Sequence, residues 1–271
     1  MGLENHPRGG VIGSTAECGS VCSDSNSGLG TKMNYIELND KGKLGSDEQK
    51  LADYFGAGNY TTFYKKHFIQ NKIKITKEDF IAGVIPVMFS AMKKLGIEYK
   101  HDDYPEQLRK YLYRKIWETK LGYIKDQVFN EYLINPIFIK PKDKLKKFTG
   151  FLLNSRDDWF LTDGAADGTN IVCSEPVKWV TEYRIPVINK IPRDYCNYFG
   201  NPDIQVDKSV VQNMIDDWTD SPKAYCLDVG VLDTGETALI EINDAFSCGS
   251  YSMSAETYGD LLTTRWNELK G

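Results

Sequence analysis

A chain of 271 residues, 41% apolar and 26% charged, has the composition of an ordinary globular protein and can bury a sizeable core as one large domain or two small ones. Its formal net charge of −5 offers no general attraction to nucleic acid or anionic membrane, so any anion site must be local. No run approaches the roughly 20 apolar residues of a membrane-spanning helix, and the N-terminus lacks a basic region followed by an apolar run; a cytoplasmic protein with no membrane or nucleic-acid partner is expected.

Residues 1–32 are rich in Gly, Ser and Asn with almost no apolar periodicity, so they are expected to form a disordered leader. Met1-Gly2 opens like a myristoylation signal, but His6 stands where Ser or Thr is usual. The six cysteines, Cys18, Cys22, Cys173, Cys196, Cys226 and Cys248, are too scattered for a secreted disulfide framework and read as mostly free thiols. No second Cys or His pair follows Cys18 and Cys22 at zinc spacing.

Residues 33–135 are expected to form a mainly helical region. Ser46 with Gln49 makes a capping-box pattern for a first helix to about Phe55, with Leu51, Tyr54 and Phe55 on one face. A second helix is signalled by Thr76 as cap and by Phe80, Ile81, Val84, Val87, Met88 and Leu95, with Pro86 kinking it and Gly96 ending it. A third starts near Pro105 and carries Leu108, Leu112 and Trp117. From about Pro136 the text changes to β-rich runs at 137–140, 150–153, 170–173, 182–188, 225–232 and 237–242, with helices at 209–218 and 254–269. Residues 136–271 therefore read as an α+β domain, mostly antiparallel sheet with flanking helices.

The stretch Tyr225 to Asp244, YCLDVGVLDTGETALIEIND, reads as a β-hairpin turning at Asp233-Thr234-Gly235-Glu236. A loop of two or four residues places Asp228 directly opposite Glu241; a three-residue loop shifts that register. Like charges directly opposite on one sheet face are destabilising unless compensated, and a divalent cation would compensate. Asn243 falls on the same face as Glu241, adding an amide oxygen to two carboxylates, hard ligands of the kind Mg²⁺ takes alongside ATP phosphates. On spacing alone, solvated acids on an ordinary hairpin explain this pattern better than a metal site.

Resemblance reverses that balance. Asp228, then Glu241-Ile242-Asn243, then a loop with Gly249 and Ser254 resembles the metal-binding end of ATP-grasp enzymes, and EINDAFSCGSYSMS is similar to the corresponding stretch of D-alanine–D-alanine ligases. Upstream, IFIKPKDKLKKFTG (137–150), SEPVKWVTEYRIPV (174–187), Asp103-Tyr104-Pro105-Glu106 and Arg114-Lys115-Ile116-Trp117 resemble the ATP-grasp clade named for one conserved arginine and two conserved lysines. The likeness covers roughly 103–269 and none of the leader.

It implies an ATP-grasp fold for 136–271 and an ATP- and Mg²⁺-dependent ligase joining a carboxylate to an amine, small-molecule or peptide, through an acyl phosphate. Alternatives are a phosphotransferase on the same scaffold or a non-catalytic nucleotide-binding protein. Carried over by match, Asp228, Glu241 and Asn243 hold the metal. Lys140 holds ATP phosphates, and Lys146 contacts phosphate or substrate. Arg184 stabilises the transferring phosphoryl group, with an ion pair to Glu182 as the plain alternative. Glu175 and Val177 lie where backbone groups meet adenine. Lys146 and Arg184 are the expected catalytic residues, acting by positioning and charge. No phosphate loop of the G-x-x-x-x-G-K-S/T type is present, and DGAADGT (163–169) is expected to be a mobile loop near the phosphates.

Overall fold

The computed structural model describes residues 32–130, 135–142 and 147–271. Most of the leader expected at 1–32 lies outside these residues, as does Lys146. The region expected to be mainly helical opens with a strand, β1 (Asn34–Leu38), followed by helix α1 (Ser46–Phe55), β2 (Thr61–Tyr64), the short α2 (Lys65–Ile69), β3 (Phe80–Ala82) and α3 (Ile85–Leu95). The strands form a parallel sheet in the order β2-β1-β3, which requires crossover connections of the kind α1 supplies.

Several local expectations change here. Gly45, not Ser46, occupies the N-cap of α1, and no side chain caps it. Phe80 and Ile81 belong to β3 rather than to a long helix. Pro86 therefore sits in the first turn of α3, where its missing N–H costs nothing, and no kink arises. Thr76 caps no helix: its N–H and hydroxyl donate to Asp79, which also accepts from the Met33 N–H. Beyond Pro105 the expected third helix is a single 3-10 segment, Glu106–Tyr111. Trp117 lies on β4 (Ile116–Lys120), which leads into α4 (Leu121–Phe129).

Strands β5 (Ile137–Pro141), β6 (Phe151–Leu153) and β7 (Asn170–Ser174) join β4 in an antiparallel sheet ordered β4-β7-β5-β6. A larger antiparallel sheet, β10-β8-β11-β12, is built from β8 (Trp179–Ile188), to which the two-residue β9 (Ile191–Pro192) adds, β10 (Cys196–Gly200), β11 (Ala224–Leu232) and β12 (Thr237–Asp244). Helix α5 (Lys208–Asp217) precedes β11, and α6 (Ala255–Lys270) closes the chain.

Every residue of β11 is buried, as expected of a central strand covered on both faces. One face packs under α5 with Val211, Met214, Ile215, Leu227, Val229 and Leu239. The core around β1 and β3 also takes in Leu261, Leu262 and Trp266 of α6, and the Trp266 indole N–H donates to the Asp79 carbonyl at 2.9 Å. Helix α6 is pinned to the end of β12 by the buried pair Arg265–Asp244, at 2.7 Å. Cys173, Cys196, Cys226 and Cys248 are buried free thiols. No helix among the described residues is long and apolar enough to cross a membrane.

Candidate functional site

Opposition of Asp228 and Glu241 is observed, but by a route the sequence does not show. The turn is a three-residue loop: the Leu232 N–H donates to the Glu236 carbonyl, and Gly235 takes the positive φ of +102° that such a loop needs. That loop shifts the register by one. Val229 faces Leu239 while its neighbour Asp228 faces Glu241, so Ile240 is an extra residue, a β-bulge that shifts the register back. Both carboxylates then share a face. The side-chain N–H₂ of Asn243 donates to Asp228 Oδ2 at 2.9 Å and to Glu241 Oε1 at 3.0 Å.

Two cations close on these acids. Arg184, opposite Asp228 on β8, donates from Nε to Oδ1 at 2.8 Å and from Nη2 to Oδ2 at 2.6 Å, a bidentate fork. This partner replaces the Glu182 pairing considered from sequence. Lys140 alternates with the core residues Ile139 and Pro141 on β5. Its ammonium meets Glu241 at 2.5 Å and Asp103 at 2.7 Å and lies 4.7 Å from the Tyr104 ring centroid.

Burial opposes the Lys140 ammonium, yet Glu241, Tyr104 and Asp103 outweigh it and hold the group above its ordinary range. Burial likewise pushes Glu241 up, but Lys140 brings it below the usual carboxylate range. Asp228 lies above that range, because burial and the nearby Glu241 outweigh the pull of Arg184.

A cavity of about 380 Å³ runs from these groups between the two antiparallel sheets. Its lining combines Asp103, Lys140, Glu241 and Asn243 with the apolar residues Phe138, Leu152, Val177, Trp179 and Ile240. Ser174, at the end of β7, and Glu175 to Val177, in the link to β8, line its wall. Glu175 turns its carboxylate back to accept from the Lys115 N–H at 2.9 Å. Lys140, Glu175, Val177, Glu241 and Asn243 thus border one space, with Asp228 and Arg184 joined to it through Asn243.

Asp103, Tyr104, Arg114, Trp179 and Glu182 also line the cavity and were not singled out from sequence as site residues. Asp103 arrives because its segment runs along the open edge of β12, its carbonyl accepting from the Ile242 N–H at 2.9 Å. His101, on the same segment, bonds Asp103 Oδ1 at 2.8 Å. The available signal was the resemblance of residues 103–106, 114–117 and 174–187 to the clade.

Residues 163–169 border none of this. Their backbone carbonyls at Asp167 and Thr169 accept from Gly122 and Leu121 at the start of α4, so the loop expected beside the phosphates caps a helix instead. Ser254 is the N-cap of α6, accepting from the Thr257 N–H at 3.0 Å. Tyr251 lies over Arg184, 4.8 Å from ring centroid to guanidinium.

The donor set suits a divalent cation. Two carboxylates converge on one point, now filled by the Asn243 N–H₂, and a half-turn of that amide presents its oxygen there instead, giving three hard oxygens. Among the described residues no group of three or more His, Cys, Asp or Glu forms a metal cluster; this set has two acids and an amide.

Residues 111–261 match the model of an ATP-grasp domain, the second family of the clade named for one arginine and two lysines. No curated protein matches the chain. Among solved structures, the chain is similar to D-alanine–D-alanine ligase from Bacillus anthracis, with a TM-score of 0.55 at 13% identity over 89% of this chain and 99% of that one. The same ligase complexed with ATP gives a TM-score of 0.52 at 12% identity over 89% and 98%. A RimK domain protein of the ATP-grasp type from Sphaerobacter thermophilus gives 0.52 at 13% identity over 85% and 99%. At these identities the likeness establishes the fold.

Proposed function

The chain belongs to the one-arginine, two-lysine clade of ATP-grasp proteins, and from that premise we propose that it is an ATP- and magnesium-dependent ligase that joins a carboxylate to an amine. The observation that carries this reading is one cavity whose wall combines Lys140, Glu241 and Asn243 with apolar residues such as Leu152, Val177 and Trp179, sized for a nucleotide.

In this reading the base lies against Val177, Leu152 and Trp179, and the backbone of 174–177 contacts its edge. Lys140 and Arg184 give up carboxylate partners for phosphate oxygens. Asp228, Glu241 and Asn243 would hold Mg²⁺, which neutralises charge on the phosphates when bound. The substrate carboxylate attacks the γ-phosphorus as ADP leaves. The amine nitrogen then attacks the acyl carbon, phosphate departs with the electrons of the C–O bond, and a proton is released. Arg184, bidentate and buried, would stabilise the phosphoryl group in transfer, and Lys146 would contact phosphate or substrate. The bound ATP of the Bacillus anthracis ligase supports the nucleotide part.

Calorimetry of Mg²⁺-ATP binding tests the site: Glu241→Ala is expected to lose at least about tenfold in affinity, and unchanged affinity refutes the assignment. ADP release that requires both an acid and an amine identifies the ligase. A stable phosphorylated product formed without amine points to a phosphotransferase.

A further inference from the structure

Strand β12 lies at the edge of its sheet, so one of its sides has no neighbouring strand to hold the Ile240 bulge in place. In a regular strand successive carbonyls point to opposite edges. Here the adjacent carbonyls of Leu239 and Ile240 both accept from one guanidinium, from Arg114 Nη1 at 2.8 Å and Nη2 at 2.9 Å. Nη1 also donates to the Leu112 carbonyl at 3.1 Å. One planar fork can reach both carbonyls only where the strand is bulged.

Arg114 is itself held. Its guanidinium carbon lies 5.3 Å from the Trp179 ring centroid, and Trp179 is seated over Gly230. A β-carbon at Gly230 would come within 2.6 Å of that ring and 2.8 Å of the Thr181 carbonyl, so only glycine leaves the ring this close. Gly230, Trp179, Arg114 and the bulge make one stack, running from the central strand to the edge of the sheet.

The bulge decides which acids share a face. Without it, the register set by the three-residue loop continues: Ile240 falls opposite Asp228, and Glu241 and Asn243 turn to the other face, since a one-residue slip inverts every side chain beyond it. We propose that Arg114 is a positioning residue that sets the register of the site, by clasping the carbonyls of Leu239 and Ile240 and so holding Glu241 and Asn243 on the face of Asp228. The proposal rests on the nucleotide reading, because binding of Mg²⁺-ATP is what the register serves.

Deleting Ile240 provides a test that loss of a contact alone does not. Shortening β12 by that residue brings Glu241 opposite Asp228 in an unbroken ladder, with no bulge to hold. Mg²⁺-ATP affinity is measured by calorimetry for the wild type, Arg114→Ala, the Ile240 deletion and the two combined, with Glu241→Ala as the control for the nucleotide reading and circular dichroism as the check of folding. Arg114→Ala is expected to weaken binding by about tenfold or more, as three part-buried charge-assisted hydrogen bonds are lost, two of them to the bulge. Deleting Ile240 in that background is expected to restore most of the affinity. Undiminished binding by Arg114→Ala overturns the proposal, and so does a loss that the deletion fails to recover, which would mean that Arg114 touches the nucleotide itself. Where Arg114→Ala fails to fold, Arg114→Lys, which keeps the charge and loses the fork, carries the same comparison. A Glu241→Ala control that binds normally refutes the nucleotide reading and the proposal with it, whereas normal loss in that control alongside an unaffected Arg114→Ala refutes the proposal alone.

Discussion

Lys140→Met removes the cation from a nearly closed network and keeps the length of the side chain. The Lys140 side chain is 12% exposed and its ammonium lies 2.5 Å from Glu241 and 2.7 Å from Asp103, so its loss strands two acids. Breaking a buried pair in this way costs about 3–5 kcal/mol. The cost depends on pH, with a sign that can be worked out. In the wild type the folded-state pKa of Glu241 is depressed, so its contribution is present above the unfolded value and fades as pH falls through the folded one. In the variant, burial and Asp103 act on Glu241 against the Asn243 hydrogen bond without Lys140 to help it, and are expected to raise it. Stability is then retained below the unfolded value and lost as pH rises through the folded one. Lys140 itself, raised above its ordinary range, contributes no change below that range. Urea unfolding is expected to show a midpoint lowered by about 1–2 M near pH 8, for a protein of this size, with the deficit shrinking toward about pH 4. A variant as stable as the wild type at the higher pH, or one whose deficit does not change with pH, refutes the buried-network account.

Asp244→Asn tests the join between α6 and the site. Arg265 keeps Glu268 at 2.7 Å but loses its buried partner, so a loss of about 3 kcal/mol is expected in urea unfolding; a change near zero would mean that α6 is held by packing alone. Ser254→Ala separates a capping role from a metal role. Loss of the bond to the Thr257 N–H is expected to cost about 1 kcal/mol and leave Mg²⁺-ATP affinity unchanged, and a marked fall in affinity would return Ser254 to the site.

Alternation and turn chemistry made the antiparallel half of the fold readable. Six β-runs and two helices expected beyond Pro136 correspond to strands β5 to β8, β11 and β12 and to helices α5 and α6. The first parallel sheet was not readable for a specific reason. Phe80, Ile81, Val84, Val87 and Met88 fall at helical spacing, although Phe80 and Ile81 lie on β3 and Val87 and Met88 on α3. A three-residue strand leaves too few positions for a period of two to show. At the site, Lys140, Arg184, Asp228, Glu241 and Asn243 lie on strands, where alternation fixes the face, whereas Glu175 and Val177, between β7 and β8, were reached through the resemblance alone. The placement of Asp103, His101 and Arg114 beside β12 was not readable, because it comes from tertiary contacts with a strand more than 100 residues away in the chain.

The hairpin shows how a correct expectation can rest on incomplete grounds. The opposition of Asp228 and Glu241 followed from an even-numbered loop, yet the loop is odd and the bulge cancels the shift. Two irregularities together therefore produce the pairing that a regular hairpin would have given with neither. The difference is chemical. A regular ladder leaves the outward carbonyls of an edge strand to water, whereas the bulge turns two of them onto Arg114 and so ties the register to the wall of the cavity. The same economy appears in the charges. Each cation that a polyphosphate would attract is already clasped by an acid that a metal would attract, Lys140 by Glu241 and Arg184 by Asp228. Buried charges are costly unless paired, so these pairings satisfy all four groups within the chain; on the proposed reading, phosphate and Mg²⁺ would take over as partners and leave none of the four unpaired.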